Sequence, residues 1–187
     1  MIGEGAIVLE WIGEGPSDSG LLERVREQVE VAFGMPTSLR TVNGPPADTL
    51  DPRREQRSST KILRWILERV PSGPLRVVGV TDADLFIPVL TFVFGEAQLG
   101  GRAAVVSTAR LKETYDHRPA PPGLLASRLL KECLHELGHT FGLVHCPDVG
   151  CVMSRSNSIL DVDRKRAGFC RDCRQRLRIF LQERDQT

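Results

Sequence analysis

The chain has 187 residues, 41% of them hydrophobic and 26% charged, with a formal net charge of +1 at pH 7. That is the balance of a water-soluble globular protein with one well-buried core, or a core and a small appended lobe, and so neutral a chain gives no reason to expect a nucleic-acid or membrane partner. No apolar run approaches the ~20 residues of a membrane span, and the N-terminal MIGEGAIVLEWIGEG has neither a basic leader nor a small-residue cleavage site, so a cytoplasmic location is expected.

In chain order, Ala6–Ile12 is a short apolar run of strand type. Ser19–Phe33 follows with Leu22, Val25, Val29 and Phe33 at helical spacing behind a Ser19 cap. Thr37–Val42 alternates as a strand does, NGPP breaks the chain, and the polar, arginine-rich stretch 48–57 reads as an exposed connection. A second helix over Ser59–Val70 is expected to bury Ile62, Trp65, Ile66 and Val70, with Pro71 and Pro74 ending it before the buried strand Leu75–Val80. Leu90–Phe94 and Arg102–Thr108 flank EAQLGG and predict a hairpin. After a proline-rich loop at 115–123, a long helix runs from Leu124 to Phe141 with Gly142 as terminator, and a last helix spans roughly Asp163–Glu183, with Phe169, Cys173, Leu177 and Phe180 on one face. The alternation of strand and helix implies an α/β fold with a mixed twisted sheet and an antiparallel strand at its edge. It divides into an N-terminal part, 1–142, carrying the sheet and the long helix, and a small C-terminal lobe, 143–187, with little strand signal.

The stretch His135–Met153 reads HELGHTFGLVHCPDVGCVM and holds three of the four histidines. Residues four apart on a helix share a face, so His135 and His139 present two imidazoles to one point. Gly142 lets the chain turn back and bring in His145 as a third nitrogen, leaving one tetrahedral position for water, as in a catalytic zinc site. Glu136 sits about 100° around the helix, where HExxH hydrolases place their general base. The competing interpretation has the histidines hydrogen-bonded in a core and Glu136 solvated. A bare HExxH could be that, but all five specified positions of HExxHxxGxxH favour the metal.

The remaining cysteines in this region are spaced C-x4-C at Cys146 and Cys151 and C-x2-C at Cys170 and Cys173. Two short-spaced pairs joined by a loop are the pattern of a closed, structural four-thiolate zinc site; free core thiols are the alternative. Neighbouring side chains point in different directions, so His145 and Cys146 can serve two ions. Cys133 is unpaired in spacing and reads as a buried small apolar residue.

HELGHTFGLVH resembles the extended zinc signature of the metzincin clan, and its pairing with the four cysteines resembles the archaemetzincin family of zinc metalloproteases. The resemblance extends to VTDADL (80–85), VFGEA (93–97) and VVSTARL (105–111). The loop between Met153 and Cys170 is one residue shorter than the family pattern. The resemblance implies a single metzincin-like catalytic domain over 1–187 and a methionine turn at Met153, a residue that could otherwise be core filler. It further implies hydrolysis of peptide bonds through a zinc-bound water with Glu136 as general base, two zinc ions per chain, and a monomer acting on peptide or protein substrates. Metzincins often lay the peptide along an exposed edge strand, for which Leu90–Gln98 is the candidate, although an internal strand is equally compatible with its sequence. The tyrosine that some metzincins bring to the metal is not available after the methionine turn, since the one tyrosine is Tyr115. His117 is expected at the surface, Asp82 and Asp84 in turn or capping hydrogen bonds, and Arg53, Arg54 and Arg57 on a solvated face. Two alternatives to a peptidase are a zinc-binding interaction protein with a vestigial site and a zinc amidohydrolase acting on a non-peptide bond.

Overall fold

All six residues of the first strand are buried, which requires a sheet covered on both faces. The computed structural model describes residues 6–70, 75–114, 121 and 123–184; Tyr115, His117 and most of the expected proline-rich loop lie outside the described residues. In chain order the elements are β1 (Ile7–Ile12), α1 (Leu21–Phe33), β2 (Thr37–Val42), β3 (Leu50–Asp51), β4 (Gln56–Ser58), α2 (Ser59–Arg69), β5 (Arg76–Thr81), β6 (Leu85–Phe86), β7 (Gly95–Ala97), β8 (Ala103–Ser107), α3 (Leu124–Thr140), α4 (Ile159–Arg164) and α5 (Arg171–Arg184). The main sheet has the order β2-β1-β5-β8-β7, parallel except for β7, which pairs antiparallel with β8 at one edge. A small second sheet joins β3, β4 and β6. The architecture is the expected α/β arrangement with a mixed sheet.

The step from β1 to β2 moves outward in one direction, and the step from β2 to β5 returns across β1. Right-handed crossovers taken in opposite directions put their helices on opposite faces. Accordingly α1, joined by α3, packs on Ile7, Leu9, Trp11, Val78 and Val80, while α2 packs on Val8, Ile12, Val77, Ala103 and Val105. Gly79 of β5 allows α2 its close approach, because a methyl group there would lie 2.6 Å from Ile12 Cδ1 and 2.7 Å from Ile66 Cδ1.

One buried charge interrupts β1. Glu10 is fully enclosed on the α2 side, where Arg40 of β2 donates Nε at 2.6 Å and Arg69 of α2 bonds its other oxygen. Arg69 is itself stacked 3.5 Å over the Trp65 ring, which leaves Trp65 half-buried.

Four expectations differ from the structure. Ser19 does not cap α1; the Asp18 side chain accepts the Gly20 amide at 2.9 Å instead, and the helix begins at Leu21. The connection 48–57 is partly ordered as β3 and β4, with Arg57 donating to Thr49 Oγ1 at 2.7 Å and Arg54 lying over the Phe86 ring. Leu90–Phe94 is not a strand: apart from a bridge between Val93 and Leu85, pairing starts at Gly95, because that is where the register with Val106 sets in. The last helix is two, α4 and α5, and Phe169 sits in the break between them, buried against Phe33.

Truncating Glu10 leaves two guanidinium groups without their shared partner, but both can turn to solvent. Glu10→Ala should therefore cost about 2 kcal/mol, below the ~3–5 of a fully buried broken pair, with Glu10→Gln costing less. The midpoint of urea unfolding measures both.

Candidate metal centre and active-site cleft

Helix α3 is buried on almost every side, including positions where charge would ordinarily face water. Three of its buried charged residues, Arg128, Lys131 and Glu132, are tied to the chain around α4. Arg128 forks onto Asp163 at 2.8 and 2.7 Å and also donates to the Leu111 and Glu113 carbonyls. Lys131 Nζ donates to the Val162 and Asp163 carbonyls, and Lys165 Nζ, fully enclosed, lies 3.3 Å from Glu132 Oε1. These contacts desolvate charge only where a partner replaces the water. Sequence reading missed them; charged residues at 128, 131 and 132 inside an otherwise core-facing helix were the signal for them.

On the next turn of α3, His135 and His139 bring their Nε2 atoms to 3.1 Å. Each Nδ1–H is donated to a carbonyl, that of Val152 at 2.8 Å and that of Leu143 at 2.7 Å. The helix then ends at Gly142, which takes φ +79°, the left-handed reversal that glycine adopts without a steric cost. This reversal returns His145 to the pair, with ring centroids 5.3 Å from His135 and 5.0 Å from His139. One nitrogen from each of the three histidines lies within 4.8 Å of the others.

With both Nδ1 protons committed, two Nε2 lone pairs face each other, a repulsive arrangement unless a cation lies between them. The spacing fits one: two ligands at ~2.0–2.1 Å on a tetrahedral zinc are separated by about 3.3 Å. Burial holds all three imidazoles below their ordinary range, most strongly His135; at His145 the neighbouring His139 and then Arg155 add to it. All three are therefore neutral at pH 7 and able to donate a lone pair.

Glu136 is buried in the same cleft, and its carboxyl is pushed well above the usual range by burial and then by the nearby Glu132. The β7 backbone runs directly against it: a methyl on Gly95 would lie 2.7 Å from Glu136 Cγ and Oε1 and 2.8 Å from the Val105 carbonyl. The cleft has a volume of about 760 Å³ and is walled on one side by residues 87–99 and on the other by the histidines, Val144 and residues 155–157.

Behind this centre the four cysteine sulfurs lie within 4.8 Å of one another. All are free thiols. Cys146 Sγ and Cys170 Sγ are 3.8 Å apart, close to the ~3.8 Å edge of a tetrahedron with zinc–sulfur bonds of ~2.3 Å. Backbone amides of Met153 and Cys170 point at Cys151 Sγ at 3.4 and 3.3 Å, and the Cys146 amide bonds the Met153 carbonyl at 2.9 Å. Consecutive residues His145 and Cys146 thus join different clusters. Met153 is fully buried beneath α3, against Gly138, where a methyl would approach its Sδ to 2.4 Å. Cys133 is buried away from both clusters, its thiol pushed far up by burial. Asp84 pairs with Arg110 at 2.8 Å and accepts from Gln56 and the Leu85 amide, and Asp82 is exposed.

The profile of Peptidase family M54 matches residues 72–179. The archaemetzincin of Methanopyrus kandleri is 54% identical over 106 residues, 57% of this chain and 57% of its own length. A crystal structure of archaemetzincin from that organism superposes with a TM-score of 0.83 at 39% identity, covering 96% of both chains. The archaemetzincin of Methanocaldococcus jannaschii is 38% identical over 163 residues, 87% of this chain and 88% of that one. A crystal structure of a zinc-dependent peptidase from Methanocorpusculum labreanum gives a TM-score of 0.80 at 31% identity, over 91% of this chain and 99% of that one.

Gly138→Ala tests the packing under the histidine cluster. In an ordinary helix interior that change stabilises by up to ~1 kcal/mol, whereas here overpacking against Met153 should destabilise by about 1–3 kcal/mol. Thermal unfolding reads the sign directly.

Proposed function

Because this chain belongs to peptidase family M54, the archaemetzincin family of zinc metallopeptidases, we propose that it hydrolyses peptide bonds at the three-histidine centre, with Glu136 as general base, and holds a second, structural zinc on Cys146, Cys151, Cys170 and Cys173. The observation that carries this reading is the pair of Nε2 atoms at 3.1 Å, converging with His145 in the cleft that also holds Glu136.

His135, His139 and His145 would hold the ion, and the Val152 and Leu143 carbonyls fix which nitrogen each of the first two presents. When bound, zinc supplies a Lewis acid that polarises the scissile carbonyl and makes water a stronger acid. Glu136 takes the proton from the attacking water and passes it to the leaving amine. Its raised proton affinity, a result of burial, suits a group that must hold that proton between the two steps.

The substrate backbone would lie alongside β7, the last strand in the order of the main sheet, as an added strand. Gly95 keeps this edge low enough for the bond to be cut to reach Glu136. The four cysteines would clamp the stretch bearing His145 and Met153 to the start of α5, making the second ion part of the fold's stability. Free thiols at this spacing support a reducing, cytoplasmic setting, and we take the acting unit to be a monomer formed by the whole chain. No helix among the described residues is long and apolar enough to cross a membrane.

Protein purified without chelator should contain about two zinc ions per chain, the count for one open and one closed site. Glu136→Ala should lower kcat/KM by roughly 10²–10⁴-fold while keeping that metal content. Full activity in this variant would falsify the assignment of the base, and no turnover by the intact chain across a broad peptide library would favour the interaction-protein alternative. Cys170→Ser should depress the melting temperature far more than Glu136→Ala does; equal, small shifts would remove the clamp.

A further inference from the structure

The cleft walls carry an uneven distribution of charge and greasy surface. Ile87, Leu90, Phe92, Leu99 and Val144 make much of the lining apolar, and Leu90, Leu99 and Val144 expose half or more of their surface. Each acidic residue in the lining besides Glu136 is already engaged: Glu132 by Lys165, and Glu96 by the hydroxyls of Ser59 and Thr60 at 2.6 and 3.0 Å.

Among the described residues, Arg155 is the one arginine or lysine of the lining, and it is exposed. No carboxylate pairs with it among the described residues; several other arginines, Arg64 and Arg171 among them, also lack one, and what sets Arg155 apart is its place in the cleft wall. Arg155 and His145 line the same cleft. The two residues after it also line the cleft. Ser156 Oγ is covered yet has no hydrogen-bond partner, and the Asn157 side chain is exposed. The guanidinium and the side-chain amide, both reached by water, are donors free to turn to a ligand, and the covered Ser156 hydroxyl gives the segment a further bond to gain when a ligand draws it into place.

We propose that Arg155, Ser156 and Asn157 form a carboxylate subsite beside His145, so that the peptides preferred carry an acidic group there, next to a bulky apolar residue held by the Leu90, Phe92 and Leu99 wall. The inference rests on the peptidase reading for its substrate and adds to it the chemistry that selects among peptides. A carboxylate meets a guanidinium through two parallel charge-assisted hydrogen bonds. The acidic group can come from an Asp or Glu side chain or from the substrate's own C-terminus, and both sources present the same two oxygens.

The test uses the zinc-loaded chain and matched peptides that differ only in Glu against Gln, or in a free C-terminus against an amide. Cleavage is followed by mass spectrometry and binding by fluorescence anisotropy. The acidic member of at least one pair should bind and be cut about tenfold better, the value of one hydrogen bond to a charged group. Which pair responds identifies the source of the carboxylate. Arg155→Glu should abolish that preference and shift it toward a Lys-bearing peptide, while Arg155→Lys should retain part of it. Equal binding and cleavage of acidic and neutral members, or a preference that survives Arg155→Glu, would overturn the proposal. Acid-dependent binding without cleavage would uphold the subsite and sink the peptidase reading; cleavage without acid preference would do the reverse.

Discussion

Two imidazole nitrogens whose lone pairs face each other across 3.1 Å repel unless a cation is shared between them, and much of the C-terminal half serves to keep them there. The helix supplies the spacing of His135 and His139, but the aim of each ring comes from elsewhere. The Val152 and Leu143 carbonyls, both on the chain that leaves α3, take the Nδ1 protons and thereby turn Nε2 toward the centre. The reversal at Gly142 that delivers Leu143 also delivers His145. A single change of chain direction therefore places one imidazole, His145, and fixes the tautomer of another, His139, which is why the centre and the C-terminal lobe cannot be understood separately.

The same logic explains the cost that the protein accepts in α3. A helix whose charged residues Arg128, Lys131 and Glu132 are buried would be unstable alone. Here every one of them meets a partner on the 162–165 segment, so the helix is locked against α4 by charge as well as by apolar contact. Beneath it, the Cys146 amide bonded to the Met153 carbonyl couples the sulfur cluster to the methionine that packs on Gly138. The nitrogen-lined and sulfur-lined centres thus share one stretch of backbone, with the first open to the cleft and the second closed behind it.

The cleft owes its form to the one strand that runs against the others. Because β7 is antiparallel and stands at the sheet edge, it can lie beside α3 with its outer side toward the cleft, and Gly95 brings its backbone against Glu136. Opposite it, the segment after Met153 supplies Arg155. A peptide bound as proposed would meet backbone on one side and side chains on the other, which would assign the reaction and the choice of substrate to different parts of the fold.

The spacing of His135, His139, His145, Glu136 and the four cysteines made both clusters legible in the amino-acid sequence, since helical periodicity and short loops constrain which side chains can meet. Hydrophobic periodicity likewise gave α2, α3, β1, β2, β5 and β8 with ends close to those observed. What it could not give depends on contacts distant along the chain. The paired part of residues 90–98 begins at Gly95 only because Val106 lies opposite. The break between α4 and α5 reflects the demand that Lys165 reach Glu132, and Phe169 reach Phe33. Glu10, Gly95 and Gly138 are unremarkable in sequence, and they matter because of Arg69, Glu136 and Met153, brought beside them from 59, 41 and 15 residues away. Local pattern determined the donors and the elements that carry them; tertiary packing decided where charge could be buried, where the cleft opened, and which small residues could not be larger, because those are properties of neighbours that the chain's own periodicity does not encode.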